Sequence, residues 1–296
     1  MGQFVETYSE IKRQYPFSAR QILRNLALSG LAKRDQFLGN KKLLKTPRIQ
    51  FLYIHHSFKD ELVQLDALLS FLSNNHQFIS HSDALKKILA NNIDQPYIAI
   101  SSDDGFKNNL LAAELLNKYN IKGCFFINPG LINEKDYNTI SKHCKQKLHL
   151  PPIEFLNWDD VSELQKQGHE IGGHTMYHDN IANMQLTEFE KDLLVSMEIL
   201  KGRCGEVNHF AFPYGRFSNF NEEGRKAVFN AGFTSCASAE RGCHTNQNSS
   251  IASDQLCIRR DHVVLDWKLE HIAYFLTNNI KQIGKMNHQF PYKIEN

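Results

Sequence analysis

Two polar clusters in this chain have residue types and spacing that suit a hydrolytic metal site. The first is Ser101-Ser102-Asp103-Asp104-Gly105, directly after the apolar run Tyr97-Ile98-Ala99-Ile100. Adjacent carboxylates repel each other, and near a core they are costly unless something cationic compensates. A metal ion is one such compensator, and a surface Asp-Asp-Gly turn is the plainer alternative. The second cluster is His174-Thr175-Met176-Tyr177-His178, after the strand-like residues 169–173. Histidines at i and i+4 face the same way on a helical turn, so both rings can reach one ion. Two imidazoles and a carboxylate leave a coordination position for water, as catalytic zinc sites do. Gly172 and Gly173 permit close backbone approach at the strand end. A third segment, Phe210-Ala211-Phe212-Pro213-Tyr214-Gly215, combines a rigid Pro with a Gly in a turn that could aim a backbone N–H into the same place.

Such residues need strand ends to hold them, and the chain supplies a strand-then-helix rhythm. Short β-prone runs occur at 49–54, 97–102, 123–128, 169–173, 209–212, 233–237 and 255–260. Between them lie amphipathic helices. One covers 61–72, with Leu62, Leu65, Leu69 and Leu72 on one face. A second covers 109–119. A third opens at a Thr187/Glu190 capping box and carries Leu193, Leu194, Met197 and Leu200. Alternation of this kind implies parallel strands with right-handed crossovers. Seven strands favour a (β/α)7 barrel over an open sheet, with chemistry at the C-terminal strand ends.

The three motifs, in this order, resemble those of the NodB-homology polysaccharide deacetylases, carbohydrate esterase family four. Ser101 to Gly105 matches the family's T-F-D-D-G, His174 to His178 its H-[ST]-x-x-H, and Phe210 to Gly215 its F-A-[YF]-P-Y-G. Phe51 to His56 is similar to the opening strand of many members, and the likeness runs from about Arg48 to about Trp267. The resemblance implies an irregular NodB-like barrel in which Asp104, His174 and His178 bind a divalent metal. Zinc is the first choice, and the same donors suit cobalt, nickel or iron. It makes Asp103 the general base toward the attacking water, and the backbone N–H of Tyr214 a donor to the oxyanion. The family's late histidine, which protonates the departing amine, is matched best by His262. Pro213, Tyr214, His55 and His56 are then expected to face the substrate. One departure stands out. Many members carry an Arg two residues before the third motif's Pro, where this chain has Ala211. Arg260, after the last strand, is the residue that could supply that charge from another direction.

Composition sets the surroundings. The chain has 296 residues, 42% of them hydrophobic and 14 of them His, which suits one large α/β domain. Its six cysteines form no C-x-x-C pair and read as free buried thiols in a reducing compartment. No apolar run approaches the roughly 20 residues of a membrane span, and the first residues lack the apolar stretch of a signal peptide. A cytoplasmic location is therefore expected. Residues 1–48 hold ten Lys/Arg against three Asp/Glu, so this stretch is strongly basic in a chain of net charge +2. Ser18 and Gln21 make a capping box. Ile22, Leu23, Leu26, Ala27 and Leu31 then share a face, with Arg20, Arg24, Lys33 and Arg34 largely off it. The division expected is a basic amphipathic leader over 1–47 and a catalytic domain over 48–296. The leader is expected to meet the inner membrane face peripherally, and no nucleic acid partner is expected because no aromatic platform or binding motif accompanies the charge.

The function expected is removal of an N-acetyl group from an amino sugar, on a lipid- or nucleotide-linked glycan intermediate of surface polysaccharide synthesis. The alternatives are hydrolysis of another C–N amide, such as a formamide or cyclic amide, and a non-catalytic glycan-binding module on the same fold.

Overall fold

A computed structural model describes residues 2–15, 18–247, 251–286 and 288–290. Residues 1, 16 and 17 of the leader, and 248–250, 287 and 291–296 of the catalytic segment, lie outside the described residues. In chain order the strands are β1 (Arg48–Ile54), β2 (Gln77–Phe78), β3 (Pro96–Ser102), β4 (Cys124–Ile127), β5 (Glu170–Gly173), β6 (His209–Ala211), β7 (Ser235–Ala237), β8 (Cys257–Ile258) and β9 (Arg260–His262). The α-helices are α1 (Tyr8–Gln14), α2 (Ala19–Phe37), α3 (Leu62–Ser73), α4 (His81–Leu89), α5 (Asn109–Lys118), α6 (Tyr137–His143), α7 (Trp158–Lys166), α8 (Leu186–Cys204), α9 (Glu222–Asn230) and α10 (Leu269–Lys281).

All named strands pair in parallel, in the order β8-β7-β6-β5-β4-β3-β1-β9, with β2 beside the start of β3. The two ends of that order are one chain segment. Cys257 and Ile258 pair with β7, and Arg260 to His262 pair with β1 after a break at Arg259. This handover closes the sheet into a barrel. The expected strand over 255–260 is therefore two short strands with different neighbours. The break matters for the site, because it brings Arg260 into line with Phe51 and His262 into line with Tyr53.

Alternation along each strand sorts the side chains into two layers. Ile49, Phe51, Tyr97, Ala99, Cys124, Phe126, Ala211, Ala237 and Ile258 share one buried cluster, and Ala84 and Leu85 of α4 join it. The intervening residues Leu52, Ile54, Ile98, Ile100, Phe125, Ile127 and Phe210 pack outward on the helices. In that outer layer α3 contributes Leu65, Leu68, Leu69 and Leu72, and α8 contributes Phe189, Leu193, Met197 and Leu200. Leu194 stays 63% exposed, contrary to the expected stripe. The capping box of α8 is Gln185 with Glu188 rather than Thr187 with Glu190, because the helix starts two residues earlier than its spacing suggested.

The leader contributes to the mouth of the barrel. Val5 and Ile11 are buried with Phe58, Phe106, Leu131, Ile140, Ile153 and Phe155, and the Val5 N–H donates to Pro152 O at 3.0 Å. The capping box at Ser18 and Gln21 opens α2 as expected. The helix packs against α10 and buries Leu28, Ala32 and Asp35, which lie on one face by their spacing of four and three. Asp35 accepts from Thr277 and Asn40 and pairs with Lys281. Ile22, Leu23 and Leu26 are consequently left 52%, 67% and 66% exposed. The apolar stripe marked by Ile22, Leu23 and Leu26 is thus turned to the outside.

Candidate active site

Beyond β3 the chain turns sharply, with Asp104 at φ 73° and Gly105 at φ 73°. Asp103 and Asp104 end up 3% and 2% exposed, and each has its own compensation. Asp103 receives a two-pronged ion pair from Arg260, Nη1 to Oδ1 at 2.7 Å and Nη2 to Oδ2 at 2.8 Å. Arg260 also donates from Nε to Ser238 O and from Nη1 to Ser101 Oγ. Its guanidinium lies 4.4 Å from the ring centre of Tyr53, so its five donors and its face are largely committed. Burial alone would raise the Asp103 pKa, but the charge of Arg260, with His174 behind it, outweighs burial and holds the group below the usual carboxylate range.

Asp104 is compensated by the histidines. Its Oδ1 lies 3.5 Å from His174 Nε2 and 3.4 Å from His178 Nε2. That oxygen has no hydrogen-bond partner. The Nδ1 of His174 is 2.6 Å from Ala211 O. A carbonyl only accepts, so Nδ1 carries a proton, and in the neutral ring Nε2 presents a lone pair toward Asp104. A lone pair facing a bare carboxylate oxygen needs a shared cation. Donors about 2.1 Å from a tetrahedral zinc stand about 3.4 Å apart, which matches both distances from Asp104. The three residues therefore fit a divalent metal. Burial raises the Asp104 pKa, but His178 and His174 more than offset it and hold Asp104 low. Burial pushes His178 down to about 3. For His174 burial is outweighed by the neighbouring carboxylates Asp104 and Asp103, so its pKa moves up.

The His174–His178 segment is a turn and not the helical turn its spacing suggested. Thr175 and His178 adopt φ 61° and 55°, and it is this reversal that converges the two rings. Asn128, at the end of β4, donates to the carbonyls of His174 and Thr175. Asp192 of α8 accepts the Met176 N–H through both oxygens at 3.1 Å. Burial raises the Asp192 pKa to about 6. Gly172 is required by packing, since a Cβ there would fall 2.9 Å from His209 O.

The cavity over these groups holds about 370 Å³ and includes Asp103, Asp104, His174, His178, His55, His56, Tyr214, Arg260 and His262 in its wall. His55 Nδ1 and His262 Nε2 are 3.0 Å apart, so one donates and the other accepts. Burial keeps both rings below the usual histidine range. His262 stacks on Tyr53 with ring centres 5.0 Å apart. His56 lies 3.2 Å from Glu61 and packs on Phe58. Tyr214, at φ 61°, packs edge-on against His178, and its hydroxyl donates to Lys147 O at 3.1 Å. Its N–H donates to no backbone carbonyl among the described residues. Pro213 is buried but does not line the cavity.

Nine of the ten residues singled out in the sequence thus meet at one cavity. Several others were not singled out. Tyr8 and Ile11 reach the wall from α1, and Lys147, Leu148, His149 and Leu150 reach it from the segment after α6. Lys147 pairs with Asp179, the neighbour of His178. No local pattern marks these positions, since they arrive through tertiary packing.

A parallel barrel carrying a buried Asp-His-His cluster at its strand ends is the architecture these observations define. A model of the polysaccharide deacetylase family matches residues 90–235, a range that contains Asp103, Asp104, His174, His178 and Tyr214. Over that range, just under half of the chain, the sequence matches the polysaccharide deacetylase family. It is 29% identical over 128 residues to the chitooligosaccharide deacetylase of Azorhizobium caulinodans, a match that spans 42% of this chain and half (50%) of the length of that protein. Among solved structures it is similar to IcaB from Ammonifex degensii, with TM-score 0.60 and 19% identity over 79% of this chain and 98% of that one. The Streptococcus pyogenes deacetylase PplD in complex with acetate gives TM-score 0.59 and 15% identity, over 78% and 99% of the two chains. A de-N-acetylase from Aggregatibacter actinomycetemcomitans gives 0.60 and 17%, over 77% and 99%. These structural likenesses establish the shared fold.

The ion pair generates a prediction about stability. Arg260→Gln leaves the Asp103 carboxylate buried without its charge partner, at an expected cost of about 3–5 kcal/mol at pH 7. In the wild type the depressed Asp103 pKa contributes stability that is present above the ordinary carboxylate pKa and lost as pH falls through the folded value. In the variant, burial without a charge partner raises the Asp103 pKa, so acid neutralises the group there first and the gap between wild type and variant should narrow between pH 7 and pH 4. Urea unfolding at pH 7 and pH 4 measures it, and a gap that is absent or widens in acid contradicts the pairing.

Proposed function

We propose that this chain is a metal-dependent hydrolase that removes the acetyl group from an N-acetylated amino sugar. The observation that carries the reading is the Asp104 oxygen, buried, unpartnered and faced by two imidazole nitrogens at 3.4–3.5 Å, next to an ionised Asp103. The match to the polysaccharide deacetylase family model and the likeness to a chitooligosaccharide deacetylase support it. Asp104, His174 and His178 would hold the divalent ion, zinc first and cobalt, nickel or iron with the same donors. When bound, the ion supplies Lewis-acid polarisation of the amide carbonyl and makes water a better nucleophile.

The chain's own groups then divide the proton transfers. Asp103 is ionised and fixed by two hydrogen bonds, so it can take the proton of the attacking water at a defined angle. The free N–H of Tyr214 can donate to the oxygen that gains charge. His262, with His55 at 3.0 Å behind it, can hand a proton to the departing amine. The carboxylates Asp103 and Asp104 both favour the charged form of His55, which offsets part of the burial cost when this pair carries a proton. The sugar is proposed to be borne on a lipid or nucleotide carrier in surface polysaccharide synthesis, with the enzyme working in the cytoplasm.

A place for the leader follows from the exposed side of α2. Ile22, Leu23 and Leu26 point outward beside Arg20 and Arg24, which supports peripheral contact with an anionic membrane face. Two measurements test these readings. Acetate release from N-acetylated sugars should be lost by at least about a hundredfold in Asp103→Asn, while the same variant keeps its metal. Formate release would favour the other-amide alternative, and sugar binding with no release at all would favour a glycan-binding module. Co-sedimentation with vesicles of anionic phospholipid should fall several-fold for Ile22→Glu/Leu26→Glu, and equal binding would remove the membrane contact.

A further inference from the structure

The catalytic cavity does not end at the catalytic groups. It continues across Tyr8, Tyr53, Tyr214, Ala239, His262 and Val264 into a groove of about 680 Å³. Arg24 of α2, Arg216 after the third motif, and Arg241 between β7 and β8 line that groove, and Glu240 is the carboxylate among its lining residues. Arg241 is held by Asp261 at 2.7 Å and lies over Phe275. Arg24 lies 5.0 Å from the ring centre of Trp267. Neither Arg24 nor Arg216 forms an ion pair within 4 Å among the described residues, while Glu240 already accepts the Phe217 N–H. Beyond Arg24 the groove runs on into a second hollow of about 270 Å³, where Ile22, Leu26, Trp267 and Val264 lie together with Lys268 and with Asp266, which is paired to Lys12.

Three chemistries therefore follow one another along a continuous surface. Hydrolytic groups come first, then arginines with donors to spare, then exposed apolar side chains. Arginine forks are matched to phosphate oxygens, and an apolar strip past them suits a hydrocarbon chain. We infer that this groove binds the phosphate of a lipid-phosphate-linked amino sugar, with Arg24 and Arg216 on the phosphate and Ile22, Leu26 and Trp267 along the first part of the lipid. The sugar end of this assignment rests on the deacetylase reading, and the groove itself does not. A nucleotide diphosphate shares the phosphate chemistry but has no use for the apolar strip.

Calorimetry with inorganic pyrophosphate, and kinetics on three N-acetylglucosamine carriers, test the inference. Pyrophosphate should bind the full-length protein and bind about tenfold more weakly to Arg24→Gln/Arg216→Gln. Farnesyl-diphosphate-linked sugar should be used with a lower KM than either the uridine-diphosphate-linked sugar or a neutral chitooligosaccharide. In the double variant the preference over the neutral sugar should fall about tenfold. Equal pyrophosphate binding by both proteins overturns the groove, and so does equal KM for charged and neutral sugars. A lower KM for the uridine-diphosphate-linked sugar overturns the lipid assignment. Arginine-dependent pyrophosphate binding with no turnover of any of the three overturns the deacetylase reading and leaves the phosphate groove standing.

Discussion

Two adjacent carboxylates buried inside one barrel are the constraint on which this site depends. Neither can remain charged there without a cation, and they cannot share one. The fold separates them by pointing Asp103 at Arg260 and Asp104 at His174 and His178. Each solution draws on a different part of the chain. Arg260 comes from the interrupted segment that closes the barrel between β7 and β1. The histidines come from the turn beyond β5. Barrel closure and charge compensation are thus one structural event.

The second feature is where backbone strain collects. Eight described non-glycine residues have positive φ, and three of them are asparagines, which tolerate that region. The other five are Asp104, His149, Thr175, His178 and Tyr214, and all but Thr175 line the cavity over the Asp-His-His cluster. Such conformations cost about 1–2 kcal/mol each and persist only where the surroundings impose them. Here the surroundings are visible. Asn128 and Asp192 grip the histidine turn from two sides, and Lys147 ties the tip of Tyr214 and Asp179 together. The cavity is preorganised by its supports as much as by its reacting groups.

Much of this was legible in the sequence because the relevant signals are local. Strand runs followed by amphipathic helices marked the barrel, and the motifs sat at strand ends where side chains converge. What escaped notice was set by tertiary packing. The apolar stripe of α2 gave no sign that Leu28, Ala32 and Asp35 would be chosen for burial, because Asp35 is buried by its bonds to Thr277 and Lys281 and not by its polarity. The helical spacing of His174 and His178 suggested the right convergence for a different reason, since a turn with positive φ at Thr175 and His178 achieves it. Tyr8, Lys147 and the two gripping residues carry no motif, and only contact across the fold reveals them.

The central claim is that Asp104, His174 and His178 hold a metal, and elemental analysis of the purified protein tests it most directly. The account predicts about one transition-metal ion per chain in the wild type, lost in Asp104→Ala and His178→Ala while Asp103→Asn retains it. A wild type that is metal-free and cannot be reloaded with zinc, cobalt, nickel or iron would contradict it.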